Sequence, residues 1–126
     1  MSYWKEDVVF SLLKDKVLTE ITGSVGDEVM TFTTSDGERY QLWHCQDCCE
    51  IVGIEDITGD LKDLIGEPIL LAEEVKNPDN TQLPEHVDES GTWTFYKLAT
   101  RKGYVDIRWL GTSNGYYSES VYFCKV

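Results

Sequence analysis

Thr92-Trp93-Thr94-Phe95-Tyr96-Lys97-Leu98-Ala99-Thr100, followed by Arg101-Lys102-Gly103 and then Tyr104-Val105-Asp106-Ile107-Arg108-Trp109-Leu110, decides the fold class. Trp93 and Phe95 alternate with Thr94 and Tyr96, and aromatic and β-branched residues dominate both arms. That period of two with a short glycine turn between the arms reads as an antiparallel hairpin. Working back, Val29–Thr34 and Glu38–His44 flank Ser35-Asp36-Gly37 and predict a second hairpin. Val17–Val25, Ile51–Ile54 and Ile69–Val75 read as further strands, and Tyr116–Cys124 as the last one. Two short helices are expected, one capped by Asp7 with Val8, Val9, Leu12 and Leu13 on one stripe, the other capped by Asp60 and closed by Gly66. The expected class is α+β, mainly antiparallel β-sheet with two short helices. Asn77–Gly91, which holds Pro78 and Pro84, reads as a long loop.

The chain of 126 residues and 41% hydrophobic content suits a single domain, residues 1–126. Leu13-Lys14-Asp15 and Leu61-Lys62-Asp63 each precede a strand and an aromatic hairpin, which raises an internal pseudo-repeat as a reading. No apolar run approaches the roughly 20 residues that span a bilayer, and the first ten residues lack the basic and apolar regions of a secretory signal. No membrane partner and a cytoplasmic location in the host cell are the resulting expectations.

The formal charge is −12, and it is uneven. Residues 50–89 carry 12 acids against 2 bases, whereas residues 90–126 carry 2 acids against 5 bases. Such a surface repels phosphate and disfavours direct nucleic-acid binding. The bland reading is a solvated acidic face that maintains solubility. The sharper one is a DNA mimic whose carboxylates, Glu55, Asp56, Glu73 and Glu74 among them, occupy a basic groove on another protein.

His44-Cys45-Gln46-Asp47-Cys48-Cys49-Glu50 gathers three of the four cysteines and one of the two histidines. With a reducing compartment expected, thiolates and imidazole suit tetrahedral zinc better than disulfides. The candidate ligands are His44, Cys45, Cys48 and Cys49, in a structural role, with Cys124 or His86 as residues that could complete the shell. In an ideal two-residue hairpin, Cys45 and Cys48 face one side and His44 and Cys49 the other, so one ion would need an irregular loop. Packing thiols are the plain alternative, and a thiol-dependent enzyme using Cys48 or Cys49 with His44 is another. No catalytic signature is present, and a non-enzymatic protein is expected. In the aromatic C-terminal part, Arg101, Arg108 and the Asn114–Tyr117 turn could instead line a pocket for a signalling nucleotide.

Three stretches, 43–50 (WHCQDCCE), 91–98 (GTWTFYKL) and 108–121 (RWLGTSNGYYSESV), resemble a family of small phage and prophage proteins of unknown function over roughly residues 10–123. His44, Cys48 and Cys49 match the family motif directly, whereas Asp often stands where Cys45 stands here. The resemblance implies no activity. By analogy of class alone, acidic phage proteins of this size include type II anti-CRISPR inhibitors. The expected function is therefore that of a phage-type inhibitor which binds and blocks a host nucleic-acid-handling protein, such as a Cas9-type effector with its basic nucleic-acid channels.

Overall fold

The computed structural model describes residues 6–77 and 90–126. Among the described residues, nine strands form two antiparallel sheets. They are β1 (Glu6–Asp7), β2 (Leu18–Thr22), β3 (Val29–Thr34), β4 (Arg39–Trp43), β5 (Ile51–Thr58), β6 (Leu71–Lys76), β7 (Ser90–Thr100), β8 (Gly103–Ser113) and β9 (Tyr122–Lys125). One sheet has the order β1-β9-β4-β3-β2 and the other β5-β8-β7-β6. The 92–110 stretch is the β7–β8 hairpin, paired from Ser90↔Ser113 to Thr100↔Gly103. The turn at Asp36-Gly37 joins β3 to β4, with Gly37 at φ +87°, where a side chain would be strained.

Both expected helices are single 3-10 turns, Phe10–Leu13 and Leu61–Leu64. Four residues close too few hydrogen bonds to offset the cost of nucleating an α-helix. Asp7 is not a cap: it lies in β1, and the first turn begins after Val9 with no side-chain cap. Asp60 does cap the second turn, its Oδ1 accepting from Lys62 N at 2.9 Å. Tyr116–Val121 is not strand either. Serine and asparagine hydroxyl and amide groups bond their own backbone there, as in Tyr116 N to Asn114 Oδ1 at 3.0 Å, and β9 starts only at Tyr122. The Leu-Lys-Asp tripeptides fall at the end of one turn and the start of the other, so they do not mark equivalent positions.

The strand order nonetheless has a regularity that bears on the site. The run β2-β3-β4 is extended by β9, and the run β6-β7-β8 by β5. Each sheet thus takes its fourth strand from the other half of the sequence, and neither is complete without that exchange. The link between β4 and β5 therefore crosses from one sheet to the other, and so does the link between β8 and β9.

Alternation along the strands places one face of each sheet in the core. Met30, Phe32, Tyr40 and Leu42 meet Tyr96, Leu98, Val105, Ile107 and Trp109, with Phe10 and Phe123 between them. Phe123 stacks on Tyr40 at 5.6 Å and meets Phe10 edge-on at 5.0 Å, while Phe10 lies 4.8 Å from Tyr96. The 3-10 turns exist because they deliver Phe10, Leu13 and Leu64 to this core. Among the described residues, no helix is long and apolar enough to cross a membrane.

Candidate functional site

The two sheet-crossing links meet. His44 ends the first hairpin and enters the 45–50 loop, and its ring is buried. Its Nδ1 lies 2.6 Å from the Ser120 carbonyl oxygen, in the link before β9. A carbonyl only accepts, so Nδ1 carries a proton. Its Nε2 lies 2.8 Å from Glu50 Oε2, whose side chain is fully buried. That carboxylate also accepts from Asp47 N and Cys48 N, each at 2.9 Å, and Gln46 Nε2 donates to the Glu50 backbone oxygen at 2.6 Å. Burial pushes the Glu50 carboxyl up, but His44 and the Cys48 and Asp47 amides outweigh it and hold it down at about 2. The loop curls because its donors converge on one buried anion, so the ideal hairpin of the sequence reading is not formed.

A second buried carboxylate organises the opposite link. Glu119 accepts from Thr92 Oγ1 at 2.7 Å and Ser113 Oγ at 2.5 Å. Burial raises its carboxyl, yet the Ser113, Thr92 and Ser90 hydroxyls hold it below the ordinary value. Gly111 makes this approach possible. A Cβ there would stand 2.5 Å from Glu119 O and 2.9 Å from Glu119 Cβ. Both anions lie in quoted motifs, Glu50 as the last residue of 43–50 and Glu119 within 108–121, and sequence alone does not single them out because isolated glutamates usually face solvent.

The four expected zinc ligands do not converge. Both nitrogens of His44 are engaged, Cys48 and Cys49 are joined in a disulfide, and Cys45 is free and exposed. Cys124 is buried, receiving Trp43 Nε1 at 2.9 Å and donating to Asp7 Oδ1 at 3.0 Å. His86 lies outside the described residues. No group of three or more His, Cys, Asp or Glu among the described residues could hold an ion. In this arrangement the donor set does not fit zinc.

The expected contact acids divide into two pairs. Glu55 and Asp56 sit at a bulge of β5, which sets both beside Arg108 of β8. Arg108 Nε donates to Glu55 at 2.5 Å and Nη2 lies 3.9 Å from Asp56, while the guanidinium covers the Trp93 ring at 5.0 Å. Arg101 is held by Glu67 at 2.9 Å. The cations of the expected nucleotide pocket are thus paired with acids, and Tyr116 is exposed. Glu73 and Glu74 differ. They stand exposed on β6, the edge of the four-stranded sheet, in no ion pair among the described residues. Glu74 accepts from the Tyr96 hydroxyl at 2.8 Å.

Beside β6 is a cleft of about 550 Å³, walled on its other side by residues 7–11 and floored by residues 121–123. Its carboxylates are Asp7, Glu73 and Glu74. No curated protein and no solved structure matches the chain. A family model does match, over residues 11–123, and it includes both crossing links, the buried anions Glu50 and Glu119, and β6. The chain therefore belongs to the family described as a domain of unknown function, DUF7448.

Proposed function

We propose that this protein is a non-enzymatic inhibitor of phage type, which binds a host nucleic-acid-handling protein of the Cas9-type class and blocks it through an acidic surface. The observation that carries the reading is the state of Glu73 and Glu74. They are exposed on a sheet edge, free of ion pairs among the described residues, and next to a largely apolar concave surface whose charged side chains are all carboxylates. Acids left uncompensated by their own chain are available to a basic partner, and the net charge of −12 steers such a partner inward. Glu55 and Asp56, neutralised in part by Arg108, contribute less. The buried anions Glu50 and Glu119 hold the scaffold.

The test is a pull-down and a cleavage assay with a purified guide-RNA nuclease at rising salt. Inhibition that weakens with salt and is lost in Glu73→Lys/Glu74→Lys supports the reading. Full inhibition by that variant, or turnover of a small substrate by the protein alone, ends it.

A further inference from the structure

We infer that the cleft between β1 and β6 receives an extended basic segment of the partner as an added strand. This deepens the acidic-surface reading and rests on it. β1 and β6 are the edge strands of their two sheets, and both line the cleft. The ladder fixes which backbone groups turn outward. Asn77 N bonds Trp93 O, and Val75 pairs with Phe95, so Glu73 and Val75 point their amides at β7 while Ala72 and Glu74 point theirs away. On the other side Val8 N bonds Phe123 O, which turns the amides of Asp7 and Val9 away from β9. Ala72 and Glu74 have no strand partner on that side among the described residues.

An open edge is a template for another strand. Here its charge selects the occupant. Asp7, Glu73 and Glu74 are the carboxylates of the lining, and Asp7 and Glu74 are held in position by Cys124 and Tyr96. A second copy would bring the same carboxylates against them, and like charges oppose that pairing. A strand alternating lysine or arginine with apolar residues meets the lining instead. Its cations reach the carboxylates that share their face of the strand, and its other side chains lie toward the apolar part of the lining, where Val9 is 69% exposed.

The probe is a capped hexapeptide of alternating lysine and valine, titrated into the 126-residue chain and followed by amide exchange. Controls are the same peptide with alternate amides N-methylated, its glutamate–valine counterpart, and polylysine. The lysine–valine peptide is expected to bind and to protect the Ala72 and Glu74 amides. N-methylation, or Glu73→Lys in the protein, is expected to weaken it by about tenfold or more. The glutamate peptide is expected not to bind. If the parent and N-methylated peptides bind alike, strand addition is overturned while the acidic-surface reading stands. The same holds if polylysine binds without protecting Ala72 and Glu74. If neither polylysine nor any peptide binds, both readings fall. A concentration-dependent dimer that protects those two amides would make a second copy the occupant and overturn the basic-segment assignment.

Discussion

His44 bridges Glu50 and the Ser120 carbonyl, joining through one imidazole the two chain segments that carry β5 and β9 into opposite sheets. The Ser120 contact spans 76 positions of sequence, and on its other side the imidazole meets the fully buried Glu50 carboxylate. A buried imidazole with both nitrogens engaged is costly to disturb on one side alone, because removing either partner leaves the other desolvated without compensation.

His44→Gln and Glu50→Gln should each destabilise the fold strongly, and the double variant should cost clearly less than the two singles together. Urea unfolding of the four proteins in a cycle measures that coupling. Strict additivity would show that the pair does not act as a unit.

Acid should unfold the protein through the same group. Glu50 and Glu38 both titrate at about 2 in the fold against an ordinary value of 4.5. Glu38 is held down chiefly by Lys125 and Lys16. A lowered carboxyl stabilises fully above its unfolded value, and that contribution is lost as pH falls from about 4.5 toward 2. The urea midpoint should therefore fall across this window. Replacing Glu50 with glutamine should flatten the slope there, and leave any trend above pH 6 unchanged.

Gly111→Ala should push residues 118–121 off β8, because the new Cβ meets backbone that cannot swing aside. A loss of roughly 1–3 kcal/mol, the usual cost of overpacking, is expected from thermal or urea unfolding. Gly115→Ala leaves open space around its Cβ and strains only the backbone, at φ +91°. It should cost less, and it isolates the packing effect.

A chain ending at residue 121 should fail to fold, although it loses only β9 and the final residue. β9 lies between β1 and β4, so its removal leaves β4 an open edge and takes Phe123 from the centre of the aromatic cluster. Circular dichroism and amide dispersion would check this. The single variant Phe123→Ala should cost about 3–5 kcal/mol.

Thiol counting and elemental analysis address the cysteine motif. Protein purified without reductant and then denatured should show two free thiols, Cys45 and Cys124, and should carry no stoichiometric zinc. Four thiols with one zinc per chain would mean that the 45–50 loop takes up a different arrangement when metal is present.

By itself, the sequence determined most of the strand inventory, though not β1 or the late start of β9. The period of two, the Asp36-Gly37 and Lys102-Gly103 turns and the density of aromatics are local signals, and β3, β4, β7 and β8 formed where those signals lay. Helix type was misread because a stripe of apolar residues shows which side faces the core, not how many turns will form. Only the tertiary structure decided which strands share a sheet, since the exchange of β5 and β9 depends on contacts between residues far apart in the chain. It also gave the cysteine motif its role. From composition, soft donors close together imply a metal. In the fold, Glu50 engages the His44 ring and the Asp47 and Cys48 amides, while Cys48 and Cys49 are joined to each other. Whether a carboxylate is solvated, paired or buried is set by what long-range folding places against it, which is why Glu50, Glu55 and Glu73 look alike in the sequence and differ in the molecule.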